Sequence, residues 1–245
     1  MIPFFRKIRK KMADDNRPIK YMRYAIGEIV LVVVGILIAL QINNWNEEKK
    51  ANNEAMEVLK RLRLEFEWNQ RELVSSIRFH KQRTDAGHKL ISWFEEAYDV
   101  PLDSFNPVIQ NFMEDWKYEP NKSVSNSAIS SGAISLIKND SLTDKLNYWF
   151  NALNKYDEVY AKLDTHRDQY TFPMVERYYP LRNLDSIMKP NFKTDLKGFF
   201  SKMENENIIV HGTWSADFLL NWSNHLQNVQ IDIFKLIEQE LADNK

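Results

Sequence analysis

The fold is decided near the N-terminus by residues 24–47, which read YAIGEIVLVVVGILIALQINNWNE. Twelve apolar residues run without a break from Ile29 to Leu40, and the 18-residue span around them, 25–42, holds one charge, Glu28. At about 1.5 Å per helical residue, this span is about 27 Å long and crosses the hydrocarbon core of a bilayer. Tyr24 precedes the span and Trp45 follows it, where amphipathic rings favour the membrane interfaces. The stretch predicts a transmembrane helix over residues 24–45.

Two other structures use apolar stretches of this kind. A buried helix of a soluble core would leave the basic and aromatic flanks without a role. A cleaved signal peptide fits the basic residues before the apolar run, but small residues do not occupy both the −3 and −1 positions of a cleavage site. An uncleaved signal anchor agrees with the flanks and with the length of the run.

Charge sets the expected orientation of the anchor. Residues 1–24 carry eight basic and two acidic side chains, whereas the rest of the chain carries 25 basic and 32 acidic ones. Because basic flanks stay in the cytoplasm, we expect a cytoplasmic tail over residues 1–23 and an extracytoplasmic domain over residues 46–245. In a bacterium with two membranes, the protein is then a single-pass protein of the inner membrane with a periplasmic domain. The acidic balance of that domain gives little support to nucleic-acid binding.

Two parts of this N-terminal region are candidate contact surfaces. The tail places basic side chains around a short apolar face, which suits either a helix on anionic lipid or charge that only sets topology; these are Arg6, Lys7, Arg9, Lys10 and Lys11. Within the span, Gly27, Gly35 and Ala39 lie on one face, a pattern typical of closely packed helix dimers. Glu28, about one turn inside the membrane, either reaches the interface or binds a partner helix.

The remaining 200 residues predict an all-α domain. The chain has six glycines, eight prolines and no cysteine, which argues against turn-rich β folds and excludes disulfides and thiolate chemistry. Apolar residues recur at helical spacing in three long segments, 55–77, 142–163 and 219–241. The run Asn139-Asp140-Ser141 offers an N-cap to the second segment, and Pro173 should kink or end it near Thr171. We expect a bundle of four long helices plus shorter ones.

Two motifs resemble an uncharacterised family of bacterial, Bacteroidetes-type single-pass membrane proteins. The first is YAIGEI at residues 24–29 followed by GILIALQINNWNE at residues 35–47. The second is looser and comprises Pro120, Asn121, Ser123, Ser131, Gly132, Leu136–Asn139 and Leu142, with Ala133 where that family often has a basic residue. The resemblance implies an anchored helical domain and brings with it no activity, ligand or catalytic residue.

The sequence supports no catalytic or metal site. Ser135 and Ser186 each begin a Ser-x-x-Lys pattern, but the companion elements of serine acyl-transfer enzymes are missing. The five histidines form no His-Glu-x-x-His motif and no i, i+4 pair, and no nucleotide-binding loop is present. We therefore expect a protein without cofactor, metal or enzymatic activity.

The most unusual local composition is the polar stretch at residues 121–131, which predicts a ligand-binding loop; the candidate residues are Trp116, Tyr118, Asn121, Ser123 and Ser131. Our first hypothesis is a noncatalytic interaction or scaffold module of the cell envelope. It would contact membrane lipid, and a protein partner or a second copy through the transmembrane helix. The alternatives are a sensor-type input subunit acting through a membrane partner, and an envelope hydrolase whose acid–base pair forms only in three dimensions.

Overall fold

The computed structural model describes residues 18–95, 100–114, 116–185 and 191–243. Within these ranges the chain is all-helical and contains no strand, as the sequence predicts. The helices are α1 (Pro18–Glu95), α2 (Leu102–Met113), α3 (Ser123–Ser130), α4 (Asp140–His166), α5 (Phe172–Tyr178), α6 (Leu196–Phe200) and α7 (Met203–Asp243). Short 3-10 helices occupy Ala133–Leu136 and Leu181–Leu184, and a π-helical turn, Arg167–Thr171, joins α4 to α5. Three of the described helices exceed 20 residues, one fewer than the sequence predicts.

The chain divides into two compact units, Met1–Glu54 and Ala55–Lys245. In the described part of the first unit, α1 holds an 18-residue window with a mean hydropathy of 2.6, none of it buried. Its large apolar side chains between Ile29 and Leu40 are 46–75% exposed. This segment is the one helix of the described residues that is long and apolar enough to cross a membrane.

The first core of the second unit joins α1, α3, α4 and α7. Every position of the stripe predicted on α1 is buried, including its polar members: Ala55, Leu59, Leu62, Phe66, Asn69, Leu73 and Ser76. On α4, Leu142, Trp149 and Tyr156 are buried in the same core. Asn139 caps this helix, because its side chain accepts a hydrogen bond from the backbone N–H of Leu142 (2.9 Å). Both the stripe and the predicted cap are confirmed.

A second core lies between the end of α1 and helices α2, α5, α6 and α7. It is rich in aromatic rings, with Phe105 of α2 packed between Tyr179 (5.4 Å) and Phe199 (5.6 Å). The helices approach closely here: a Cβ on Gly212 of α7 would meet the Phe112 ring at 2.9 Å. A larger residue at Gly212 would therefore push α2 away from α7.

Candidate functional site

The predicted membrane-contact residues all lie on the exposed surface of α1 in the first unit, Glu28 being half-exposed. An added Cβ would meet no atom within 4 Å at Gly27 or Gly35, so both positions are open to a neighbouring helix or to lipid. The tail residues Arg6, Lys7, Arg9, Lys10 and Lys11 lie outside the described residues, as does the Ser-x-x-Lys pattern that begins at Ser186.

The prediction of a loop over residues 121–131 is wrong for most of its length, because the helix α3 covers Ser123–Ser130. Residues 116–131, which we continue to call the loop, are held tightly against α1, α4 and α7. Tyr118 is 2% exposed, its N–H donates to the Tyr156 hydroxyl (2.9 Å), and its own hydroxyl accepts from Gln230 (2.6 Å). Burial raises the pKa of Tyr118 well above its usual range, against the opposing hydrogen bond from Gln230. Trp116 is half-exposed and stacks on Phe79 with ring centroids 4.5 Å apart. Tyr118 is therefore a residue of the core, whereas Trp116 is exposed at the surface.

Two buried polar side chains of α1 bind the rest of the loop. Asn69 donates to the Asn121 carbonyl (2.7 Å) and accepts from its N–H (2.8 Å). Glu65 accepts hydrogen bonds from the N–H groups of Val124 (2.6 Å) and Ser125 (3.0 Å) at the start of α3. A carboxylate is favourable at this helix N-terminus. The backbone at the loop's centre is thus fixed by the core.

The polar side chains of the loop itself pair mostly with each other. The Asn121 side-chain oxygen accepts from both the N–H (3.0 Å) and the hydroxyl (2.7 Å) of Ser123. Ser131 is exposed and donates to the Ser127 carbonyl (2.7 Å). Because these groups form hydrogen bonds within the segment itself, few of its polar groups are free to converge on a ligand.

His80 lies at the centre of a buried polar network between α1, α7 and the loop. Its Nε2 lies 2.9 Å from the Trp116 carbonyl oxygen, and its Nδ1 lies 2.9 Å from the Ser223 hydroxyl. A histidine beside a serine is the pairing that nucleophilic catalysis uses. Here both side chains are buried, and neither lines the two clefts described below. The pair joins α1 to α7 and anchors the chain that enters the loop.

A cleft of about 540 Å³ opens between the end of α4 and the start of α7. We call it the histidine cleft, and it is lined by His166, Tyr170, Met203, Glu204, Asn207, Ile208 and His211. The rings of His166 and His211 stack with centroids 4.5 Å apart, and the Tyr170 ring lies 5.4 Å from His166. His166 is 7% exposed, and its Nδ1 has no hydrogen-bond partner.

His166 stays uncharged at neutral pH. Its burial, with the positive potentials of His211 and Arg83, lowers its pKa to about 4. Gly212 supplies the space for the ring, because a Cβ there would lie 3.3 Å from Cε1 and 3.4 Å from Nδ1 of His166. The His166 ring therefore adds an uncharged, aromatic surface to the cleft.

The cleft adjoins an irregular turn of the helix. The five residues Arg167–Thr171 form a π-helical turn immediately before α5, and Pro173 lies in the first turn of α5. Proline lacks an N–H and collides with the carbonyl four residues earlier in a regular helix. The wider turn offers a way to continue the helix past Pro173, and π-helical turns occur often at functional sites. It also carries Tyr170 at the mouth of the histidine cleft.

A row of aromatic side chains crosses the outer surface of α7 to α4. Trp214 and Phe218 lie one turn apart and are 66% and 52% exposed. The row continues through Trp222, which lies 6.5 Å from Phe218, to His225 (5.3 Å) and Tyr148 (5.9 Å), as distances between ring centroids. Trp222, expected in the core stripe of α7, is only partly buried. We call these five residues the aromatic row.

A polar groove of about 690 Å³ continues from Tyr148 along the same two helices. Lys145 and Asp232 form an ion pair across it (2.8 Å), and the hydrogen bond from Lys145 lowers the pKa of Asp232. Lys235 and Asp144 also line the groove. Among the described residues, no group of three or more histidine or acidic side chains is arranged to hold a metal ion.

Comparison with known proteins establishes the family. A family model described as a family of unknown function, DUF6090, matches residues 28–170, which is more than half of the chain. The protein belongs to the DUF6090 family. No curated protein and no solved structure matches it.

The DUF6090 match covers most of the apolar span, the loop held by Glu65 and Asn69, all of α4, and the π-helical turn as far as Tyr170. Helix α7, with Trp214 and Phe218, lies beyond it. Sequence reasoning missed the histidine cleft because its residues come from segments about 40 positions apart. A signal for the aromatic row was present: Trp214 and Phe218 are one turn apart and lie off the core stripe that contains Leu219.

Proposed function

We propose that this protein is a membrane-anchored, noncatalytic interaction module of the cell envelope. The anchor is supported by the apolar segment of α1, whose side chains are exposed on all sides at Ile29–Leu40. Exposed apolar surface is unfavourable in water and costs nothing in lipid, so the bilayer is the solvent that suits this segment. The basic residues before it support a cytoplasmic N-terminus. Residues 46–245, arranged as a helical bundle, would then lie in the periplasm.

Reporter fusions test this orientation. Alkaline phosphatase fused after Lys245 should be active, because it folds only after export, whereas a fluorescent protein that folds only in the cytoplasm should stay dark at the same position. The opposite pair of results would place the C-terminal domain in the cytoplasm and remove the envelope from the proposal.

The aromatic row carries the interaction proposal. Trp, Tyr and Phe are enriched at the centres of protein–protein interfaces, where their burial on binding supplies much of the affinity. Trp214, Phe218, Trp222 and His225 follow the spacing four, four, three along α7, and the row spans about three helical turns. We propose that a helix of a partner protein lies along this row. The groove beyond Tyr148, with Lys145, Asp232 and Lys235, would bind polar side chains at one end of that helix.

Site-specific crosslinking tests the docking surface. A benzoylphenylalanine at Tyr148 should give one defined adduct in intact cells that express the full chain. The double substitution Trp214→Ala and Phe218→Ala should remove that adduct and leave the melting temperature nearly unchanged, because both side chains are exposed.

Phe192, which is 79% exposed, supplies the matched control. Phe192→Ala should leave the Tyr148 adduct intact, and a benzoylphenylalanine at Phe192 should not form it. An adduct that survives the Trp214→Ala, Phe218→Ala double substitution, or that forms equally from Phe192, would show that the aromatic row does not bind the partner.

A second candidate function is a sensor-type input subunit, and the histidine cleft is the observation that favours it. Such a subunit would pass its signal to a membrane partner or to a second copy through the face of Gly27, Glu28, Gly35 and Ala39. Replacing Gly35 by Leu should then abolish the signal passed to the membrane partner, while the Tyr148 adduct persists. In a pure docking module, Gly35→Leu would leave both the activity of the membrane partner and the Tyr148 adduct unchanged.

A further inference from the structure

The histidine cleft has the chemistry of a cation site built from aromatic rings. Its lining includes the half-exposed Tyr170 ring and the stacked pair of His166, which is buried, and His211, which is exposed. The π face of a tyrosine ring carries negative electrostatic potential and attracts organic cations. Met203 and Ile208 add apolar and polarisable surface on the side of α7.

The charge of the lining points the same way. Glu204 is the single acidic side chain among the seven that line the cleft, and none is a lysine or arginine. His166 adds no positive charge at neutral pH, since its burial keeps the ring neutral. Arg83, which contributes to that effect, is buried and is not part of the lining.

The number of hydrogen-bonding groups narrows the class of cation. The polar groups of the lining are one carboxylate, one amide, two imidazoles and one phenol. A metal ion needs several ligands at one point, and among the described residues no group of three or more histidine or acidic side chains is arranged to hold one. An alkylated ammonium needs few hydrogen bonds and is attracted by rings and a carboxylate. The geometry points to a binding site for a small alkylated ammonium ion, held by the rings of Tyr170, His166 and His211 with Glu204 as its counter-ion. This inference does not depend on the aromatic row.

Choline and its uncharged isostere, 3,3-dimethylbutan-1-ol, test the proposal. Each is titrated by calorimetry into the full chain in dodecyl maltoside micelles, which contain no choline group. Choline should bind saturably, and the isostere should bind on the order of tenfold more weakly, because it has the same shape without the charge.

Two variants locate the site. Glu204→Gln should weaken choline binding by about fivefold or more, and Tyr170→Leu by a similar factor. Glu176→Gln, which neutralises an exposed carboxylate of α5 outside the cleft, should leave the affinity unchanged. Thermal melting of each variant separates loss of the site from loss of the fold.

Three results would overturn the proposal: no saturable binding of choline, equal binding of choline and its isostere, or equal effects of Glu204→Gln and Glu176→Gln. The aromatic-row proposal would survive any of them, since its adduct at Tyr148 is measured without a ligand.

Discussion

At the residue scale, His166 combines a buried ring, an unpartnered Nδ1 and a pKa lowered to about 4. In the unfolded chain the ring returns to its ordinary pKa of 6.5. The unfolded state therefore binds more protons between pH 6.5 and pH 4, and this contribution to stability is lost as the pH falls through that window. Between pH 7 and pH 4 this loss should be about 3 kcal/mol of the free energy of unfolding.

Chemical denaturation of the full chain in detergent at pH 7, 5.5 and 4, followed by tryptophan fluorescence, measures this loss. His166→Gln removes the titrating ring and should reduce the loss of stability between pH 7 and pH 4 by about 3 kcal/mol. His88→Gln, which changes an exposed histidine, should retain the wild-type dependence. If His166→Gln loses as much stability as the wild type between pH 7 and pH 4, another group carries the acid sensitivity.

At the scale of elements, α3 depends on a carboxylate supplied by another helix. Glu65 is 4% exposed and accepts the hydrogen bonds of two N–H groups at the start of α3. In Glu65→Gln, the side-chain oxygen still accepts, but the favourable charge at the helix N-terminus is lost and an amide N–H₂ faces donors. We expect a loss of about 1 to 2 kcal/mol in the free energy of unfolding.

Denaturation at neutral pH checks this value, with Glu67→Gln as the matched control because Glu67 is exposed on the same helix. Hydrogen exchange should show faster exchange at Val124 and Ser125 in Glu65→Gln alone. Equal stability losses in the two variants would mean that Glu65 contributes only as an acidic residue of α1.

The same elements show what the sequence could predict. The core stripe of α1 and the cap at Asn139 follow from spacing and residue type within one helix, and both are confirmed. Two prolines six positions apart, Pro101 and Pro107, favour a loop, yet α2 begins directly after Pro101 and contains Pro107. Burial of Phe105 and Ile109 in the second core offsets the lost hydrogen bond. Such compensation comes from distant residues, which local pattern does not reveal.

For the candidate sites too, the sequence predicts features within one helix but not contacts between helices. Asn69 occupies an apolar position of the α1 stripe, and the sequence predicts its burial but not its partner, Asn121. The partner of His80 on α1, Ser223, likewise lies on another helix, α7. The histidine cleft requires the end of α4 to meet the start of α7, and a π-helical turn that Pro173 only hints at. Site prediction therefore fails where residues meet across helices.

At the scale of the whole molecule, the decisive prediction is that the intact chain stays with the membrane. After cell disruption without detergent, and after an alkaline carbonate wash, the protein should remain in the pellet, because about ten large apolar side chains between Ile29 and Leu40 would otherwise face water. The double substitution Val33→Lys and Ile36→Lys should move it to the supernatant. Each lysine at the centre of a spanning helix costs about 2.5 to 3.5 kcal/mol on insertion.

The control adds the same two charges beyond the span, as Asn52→Lys and Asn53→Lys, and should leave the protein in the pellet. This comparison separates the position of the charge from its amount, since both variants have the same net charge. A wild-type chain that stays in the supernatant, or a Val33→Lys, Ile36→Lys variant that still resists the wash, would remove the anchor. The periplasmic location and the membrane partner would then lose their basis, whereas the histidine cleft and the aromatic row would remain as sites on a helical domain.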